Sequence, residues 1–391
     1  MTPISASRFL MNTAQRPNLV MVRGEGSYLY DDSGKRYLDF VQGWAVNSLG
    51  HCPVEMVDAL TVQARTLISP SPAFYNEPQL QLAERLCSLT GFNVVFFLSS
   101  GAEANEGALK LARKWGRLHK NGAYEIITTE NAFHGRTLAT MAASGKPGWD
   151  QLFPPNLPGF RKVPFGDTGA MEAAITDNTV ALMVEPIQGE AGVIVPPAGY
   201  LKSLRSLCDT HNLLLICDEV QTGVGRTGTF LAAEQEGISA DITTLGKGLG
   251  GGVPVSAMLA KDRANCFAPG DQGGTYAGNP LTAAVALAVV SAVSDPAFLQ
   301  HVNTAASHLT GVLSQLAQDL GGASSVRGKG LLQAIILPDD RSAAVADKAR
   351  DLGLLINAPR PNMLRFMPQL RVSAAEIDEM TSLLRRALAD A

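Results

Sequence analysis

The run Leu213-Leu-Leu-Ile-Cys-Asp-Glu-Val220, with Asp241-Ile-Thr-Thr-Leu-Gly-Lys-Gly-Leu-Gly-Gly-Gly252 downstream, decides how this sequence is read. The apolar run is a buried strand that delivers Asp218 at its end. An aspartate in that place is costly unless something cationic meets it. Lys247 stands isolated among glycines, each of which costs helix stability, so it cannot be continuing a helix. It is presented from a tight turn after the β-like run Asp241–Leu245.

The same texture extends outward from these two segments. Candidate strands are Val94–Leu98, Tyr124–Thr129, Val180–Val184, Leu213–Cys217, Asp241–Leu245 and Val253–Leu259, with helical patterns at about 102–119 and 199–211 between them. The alternation predicts an α/β fold whose large, mostly parallel sheet is covered on both faces. Tyr28–Phe40 reads as a hairpin around Asp-Asp-Ser-Gly, followed by helical patterns at about 53–67 and 77–90. Further helical patterns at about 279–294 and 296–319 lead to Ser325–Leu337, a helix at about 341–352, short strands near 353–367 and a helix at about 374–389. That texture predicts a small α+β domain. The expected division is an N-terminal segment 1–49 joining the small domain, a large domain 50–284 and a C-terminal small domain 285–391. The Pro- and Gly-rich stretches 145–166 and 268–280 read as long functional loops.

Composition narrows the function classes. The chain has 391 residues, 46% of them apolar and 17% charged, which suits a well-buried globular enzyme. A formal net charge of −4, with no Lys/Arg-rich block, gives no reason to expect nucleic acid or an anionic membrane as partner. The 5 cysteines are scattered without a Cys-x-x-Cys pair, which excludes the usual zinc spacings and argues against a secreted disulfide framework. No apolar signal region stands in the first 20 residues and no long uninterrupted apolar stretch occurs, so the expectation is a cytoplasmic protein.

Several constellations carry chemistry. Ser99-Ser-Gly-Ala-Glu-Ala-Asn-Glu106 follows a strand and opens a helix, leaving backbone N–H groups at the positive end of the helix dipole. This suits a phosphate, although on these residues alone a plain N-cap with first-turn glutamates is the better reading. No nucleotide P-loop motif is present. Gly223-Val-Gly-Arg-Thr-Gly228 matches the dinucleotide fingerprint by letter, but it stands away from its strand and no long helical pattern follows. Those glycines are expected to shape an active-site loop. Phe133-His-Gly-Arg-Thr137 offers an aromatic face and, in Arg136, a guanidinium suited to a carboxylate; His134 is expected to be structural. Lys247 and Asp218 together answer the needs of pyridoxal phosphate. Its aldehyde forms a Schiff base with a lysine, and its protonated ring nitrogen needs a carboxylate partner.

With those residues in view, the chain resembles the class III (subgroup II) PLP-dependent aminotransferases over nearly its whole length. The signatures are Ser100-Gly-Ala-Glu-Ala-Asn-Glu106, Phe133-His-Gly-Arg-Thr137, Glu185-Pro-Ile-Gln-Gly-Glu190, Asp218-Glu-Val-Gln-Thr-Gly223, Leu245-Gly-Lys-Gly248 and Gly274-Thr-Tyr-Ala-Gly-Asn-Pro280. The resemblance implies fold type I, with Lys247 holding the cofactor covalently and Asp218 on its ring nitrogen. Gln221 would reach its phenolic oxygen, and Val220 and Phe133 would flank the ring. Gly101 and Ala102 would hold the phosphate, joined by Thr275 from the other subunit of a homodimer. Arg136 would bind the substrate carboxylate. Glu190 and Arg365 match a pair that, in related enzymes acting on ornithine-type substrates, accommodates two unlike substrates at one site.

The implied reaction moves the ω-amine of N2-acetyl-L-ornithine to 2-oxoglutarate. Ornithine, succinylornithine, putrescine and 4-aminobutyrate remain alternative donors, with a glutamate-semialdehyde mutase more distant. A dehydrogenase would rest on the 223–228 glycines alone. Two departures from the family pattern bear on substrate: Gly274 stands where a serine is usual, removing a side-chain contact, and Gly50-His-Cys-Pro-Val is a shortened form of Gly-His-x-His-Pro.

Overall fold

The computed structural model describes residues 4–391, with side chains from residue 7 onward. Its centre is a seven-stranded sheet in the order Val94–Leu98, Ser256–Ala260, Ile242–Leu245, Leu214–Asp218, Thr179–Val184, Glu125–Thr129, Phe160–Val163. The five strands from Ile242–Leu245 to Phe160–Val163 pair in parallel. Ser256–Ala260 runs antiparallel to both its neighbours. Every residue of Thr179–Val184 and Leu214–Asp218 is buried. Alternate side chains enter opposite layers: Leu214 and Ile216 pack with Ala104, Leu111 and Trp115 of the helix Gly101–His119, whereas Leu215 and Cys217 pack with Leu204 and Cys208 of the helix Tyr200–Thr210. Burial on both faces is why these strands are continuous apolar runs rather than alternating ones.

Two features of the sheet differ from the expectation. The edge strand Phe160–Val163 falls within a stretch read as loop; Arg161 and Lys162 on it are exposed, because an edge strand has one neighbour and little core to face. The strand expected at Val253–Leu259 begins at Ser256, since Gly250 to Val253 is spent on a hydrogen-bonded turn.

Met21–Glu25, Tyr28–Asp31 and Arg36–Asp39 form an antiparallel meander, and the short strand Leu354–Leu355 adds to it in parallel, with Leu354 opposite Leu38. A second four-stranded sheet has the order Ser325–Lys329, Leu332–Ile336, Met363–Phe366, Asn357–Arg360, and places Arg365 opposite Ala334. The helices Pro296–Leu320, Ser342–Asp351 and Ala374–Asp390 cover these sheets. The last begins in a capping box in which Ser373 and Glu376 satisfy each other's backbone N–H. No single helix among the described residues is long and apolar enough to cross a membrane.

The segment after Arg36–Asp39 makes an uncommon left-handed turn, with φ of +48°, +58°, +69° and +64° at Gln42, Gly43, Trp44 and Ala45. Three of the four are not glycine, at about 1–2 kcal/mol each. The surroundings hold the turn in place. Asp39 Oδ1 accepts from the N–H of Val41 and of Gln42, both at 2.9 Å. Met367 N–H donates to Phe40 O at 2.7 Å, and Ser48 Oγ donates to Gly248 O at 3.0 Å. The turn is thus pinned between the lysine turn and the strand that carries Arg365.

Candidate active site

The strands of the large sheet that run parallel to one another, together with Val94–Leu98, deliver their C-terminal ends to one side, where ligands settle in open α/β sheets. A cavity of about 260 Å³ opens there. Each wall is a strand exit: Gly101 and Ala102 after Val94–Leu98, Phe133 to Arg136 after Glu125–Thr129, Glu185 after Thr179–Val184, Asp218, Val220 and Gln221 at the end of Leu214–Asp218, and Lys247 after Ile242–Leu245. Asn105 and Glu190 complete it.

Asp218 is 3% exposed and fully engaged. Its Oδ2 accepts from Asn105 Nδ2 at 2.8 Å and meets His134 Nδ1 at 2.7 Å. Its Oδ1 accepts from Val220 N–H at 3.0 Å. Asn105 is itself fixed: its amide also donates to His134 O, and its Oδ1 accepts from Thr244 Oγ1, both at 2.7 Å. His134, expected as a structural histidine, is buried and holds this carboxylate in place. Although burial opposes its charge, the hydrogen bond and charge of Asp218 raise its pKa.

Lys247 sits at φ +40°, at the start of the 3-10 turn Lys247–Leu249, with its side chain partly exposed to the cavity. The glycines around it are matters of space. A Cβ on Gly101 would stand 2.6 Å from Val220 Cγ1, and one on Gly246 would stand 3.2 Å from the same atom and 3.3 Å from Gly101 Cα. Helix start, Val220 and lysine turn thus meet without room for a side chain. Burial lowers the Lys247 pKa; Glu190 opposes the shift and Arg365 reinforces it. Glu185, 5% exposed, accepts from Phe133 N–H at 2.9 Å. Burial pushes its pKa up to about 7; His134 opposes and Asp218 adds to this.

Arg365 is wholly buried yet bordered by acceptors. Nη1 donates to Gly189 O at 2.7 Å and to Glu190 Oε1 at 2.9 Å, and Nε donates to Asn357 Oδ1 at 3.0 Å. Arg365 reaches the cavity through Glu190 and does not line it. Burial works to raise the Glu190 pKa, but Arg365 and Lys247 outweigh it and the result is a lowered value. Arg136 is exposed at the cavity, its guanidinium 5.3 Å from the Trp149 ring centre, with no hydrogen-bond or ion-pair partner among the described residues. Gly274 and Thr275 lie elsewhere: they line a second depression with Ser99, Glu103 and Glu106. The Gly223–Gly228 loop does not line the cavity either, contrary to expectation. Cβ atoms at Gly225 and Gly228 would strike Val293 and Asn303, and Arg226 Nη1 donates to Leu331 O and Pro368 O at 3.0 and 2.6 Å. It fastens the large sheet to the C-terminal segment.

The model of the class-III aminotransferases matches residues 10–388. This chain is a class-III aminotransferase. An acetylornithine aminotransferase 2 of Bordetella bronchiseptica is 54% identical over 375 residues, covering 95% of this chain and 94% of that one. The N-acetylornithine aminotransferase of Stenotrophomonas maltophilia shares 35% identity at a TM-score of 0.86, over 99% of this chain and 98% of that one. An ornithine aminotransferase of Toxoplasma gondii, crystallized with oxidized glutathione and showing partial occupancy of PLP at its active site, has a TM-score of 0.93 and 33% identity, over 99% and 93%.

The family implies pyridoxal phosphate, and the pocket of this aminotransferase fits it. Both amide atoms of Gln221 are buried without a protein partner, which calls for a ligand with a polar edge. Gly189 is what lets Gln221 lie there, since a Cβ would fall 1.5 Å from its Oε1. Beside it stand the Asp218 carboxylate, held by Asn105 and His134, and, among the described residues, one amine, Lys247. Asn105 and Glu185 were not singled out from sequence. Both stand inside quoted signatures without a role of their own: Asn105 looks like any polar residue in a first helical turn, and Glu185 opens the Glu185–Glu190 signature directly after a buried strand.

Proposed function

We propose that this aminotransferase transfers the ω-amino group of N2-acetyl-L-ornithine to 2-oxoglutarate, giving N-acetyl-L-glutamate 5-semialdehyde and L-glutamate, with pyridoxal 5'-phosphate as cofactor. The reaction belongs to arginine biosynthesis, and the proposed setting is the cytoplasm. The Arg365–Glu190 ion pair beside Lys247 carries this reading, because it addresses the one difficulty of the reaction: two unlike substrates must use one site. The names of the similar proteins support the acetylated donor.

Pyridoxal phosphate, when bound, supplies an electrophilic aldehyde and a ring that delocalises the electrons released at the reacting carbon. Lys247 would hold it covalently, Asp218 would face its ring nitrogen, Gln221 its phenolic oxygen, and Gly101 and Ala102 its phosphate, with Phe133 and Val220 beside the ring. Once the incoming substrate amine has displaced it from the cofactor, Lys247, its neutral form favoured by burial, would take the proton from the substrate carbon that bears the amine. Asn105 and His134 keep the Asp218 carboxylate fixed throughout. Arg136, exposed and unpaired, binds the carboxylate of acetylornithine remote from the reacting amine. Gly274 offers no side chain to the substrate. A panel of amine donors with 2-oxoglutarate tests the assignment. Acetylornithine should give the highest kcat/KM, by about tenfold or more; a better result with ornithine, putrescine or 4-aminobutyrate replaces it.

Glutamate presents a carboxylate beside its reacting amine, where acetylornithine presents methylenes. Arg365 would bind that carboxylate, and Glu190 would neutralise Arg365 when the methylenes are there. Arg365→Ala should therefore impair the glutamate/2-oxoglutarate half-reaction by about 10²-fold, the worth of a lost charged hydrogen bond or two, and the acetylornithine half-reaction far less. Glu190→Ala should shift preference towards glutamate. Single-turnover absorbance with each donor separates the two; equal losses in both half-reactions would make the pair structural.

The working unit is proposed to be a homodimer. Thr275 is exposed and away from the Lys247 cavity, so a second copy would be needed to bring it to the cofactor phosphate. Val54, Val62, Ile68, Phe74 and Tyr75 are each more than half exposed, apolar side chains that such a contact would bury. Mixing Lys247→Ala subunits with Thr275→Ala subunits should yield hybrids with one intact site and measurable activity. Confirmed hybrids without activity would contradict a shared site.

A further inference from the structure

Thr275 is delivered from a span, Gly273 to Tyr276, in which all four residues are exposed. Among the described residues nothing stands within 4 Å of where a Gly273 Cβ would be. Two consecutive glycines have much backbone freedom to lose, so a threonine carried by them needs fixed ends. Both ends are fixed. On the far side Asn76, itself buried, donates from Nδ2 to Gly278 O at 2.9 Å. On the near side the anchor is the helix Gly101–His119. Lys110 Nζ donates to Asp271 O at 2.8 Å and also to Gln272 Oε1. Lys114 Nζ forms an ion pair with Asp271 Oδ2, which accepts from Ala268 N–H at 2.5 Å as well. These partners hold the Asp271 carboxyl below the usual carboxylate range, Lys114 most of all. The Lys114 side chain is only 16% exposed, uncommon for a lysine, and Asp271 is what it meets. Gly107, one helical turn before Lys110, keeps this face low: a Cβ there would stand 3.5 Å from Gln272 Nε2.

We propose that Lys114 and Asp271 are positioning residues that act across the subunit interface: their ion pair holds the Gly273–Tyr276 span so that Thr275 meets the cofactor phosphate of a second copy. This rests on the shared-site reading above. An ion pair near the surface adds little to stability by itself. Its effect lies in the freedom it removes from the loop beforehand, which otherwise would be lost when Thr275 docks. The helix Gly101–His119 thereby serves two sites. Gly101 and Ala102 at its start line the cavity of its own subunit, and Lys110 and Lys114 further along brace the loop offered to the partner.

The test measures the affinity for pyridoxal phosphate, followed by the absorbance of the lysine-linked cofactor, in Lys114→Met, Asp271→Asn, Thr275→Ala and parent dimers. Lys114→Met and Asp271→Asn should each weaken binding about tenfold, with the circular dichroism spectrum and sedimenting size unchanged. Lys114→Arg keeps the cation and should recover most of the loss. Purified hybrids then locate the effect. A Lys114→Met subunit paired with a Lys247→Ala subunit keeps its lysine-bearing site on an intact loop, and should bind with the parent's affinity. A parental subunit paired with a subunit carrying both Lys247→Ala and Lys114→Met receives the loosened loop, and should bind about tenfold more weakly. Equal affinity in the two hybrids, parental affinity in Lys114→Met dimers, or a smaller assembly by sedimentation would each overturn the assignment. If Thr275→Ala binds as tightly as the parent, the shared-site reading falls and takes this one with it. A weakened Thr275→Ala beside an unaffected Lys114→Met removes the Lys114–Asp271 role alone.

Discussion

Lys247→Ala should abolish multiple turnover, lowering kcat by about 10⁴-fold or more, because it removes both the covalent attachment and the base at the reacting carbon. Among the described residues Lys247 is the one amine on the cavity wall, and no neighbour there can substitute. The fold should survive: alanine faces the same left-handed φ as lysine, and Gly246, Gly248 and Leu249 keep the turn packed. The variant should still bind pyridoxal phosphate through Gly101, Ala102, Asp218 and Gln221, but without the absorbance of a lysine-linked cofactor. Spectra and steady-state assays, with circular dichroism as the folding control, check this together. A variant that retains the parent's spectrum and turnover would remove Lys247 from its role.

Asp218→Asn should lower kcat by about 10²- to 10³-fold with little change in overall fold. The reason lies in the donors already aimed at this carboxylate. Asn105 Nδ2 and His134 Nδ1 both address Oδ2, and the Val220 N–H addresses Oδ1. An amide nitrogen at the Oδ2 position would oppose two of them, and an amide in either orientation carries no charge against a ring nitrogen. Hydrogen bonds to a buried charge are worth about 1.5–3 kcal/mol each, and two such losses match the expected drop. His134 should also lose its raised pKa, since Asp218 is what offsets the imidazole's burial. NMR titration of His134 in parent and variant checks the linkage. An unchanged imidazole titration, or activity within tenfold of the parent, would contradict it.

What could be read from sequence divides along physical lines. The buried strands were legible because both faces are covered, so Leu213–Cys217 and Val180–Val184 carry no polar residue to blur them. Lys247 and Asp218 stood out because each violates its surroundings, a lysine among glycines and a carboxylate at the end of an apolar run. Phe160–Val163 was illegible because an edge strand can afford Arg161 and Lys162 on its surface. The left-handed turn gave little sign, since only Gly43 of its four residues is a glycine and the other three, Gln42, Trp44 and Ala45, are held there through Asp39. Asn105 and Glu185 are defined by partners far away in sequence, Asp218 and the Phe133 N–H, and only the folded chain brings those together. The Gly223–Gly228 loop misled for the opposite reason. Its glycines mark close packing against Val293 and Asn303, and glycine spacing alone does not say whether a backbone or a ligand comes near.

The amino transfer runs in two halves, with the amine held on the enzyme between them. The most direct measurement mixes cofactor-loaded enzyme with excess N-acetylornithine and no 2-oxoglutarate, and counts N-acetylglutamate 5-semialdehyde against subunits. One semialdehyde per active subunit should form and the reaction should then stop; later addition of 2-oxoglutarate should release one glutamate for each. Continued semialdehyde formation without an acceptor, or none at all, would contradict the account.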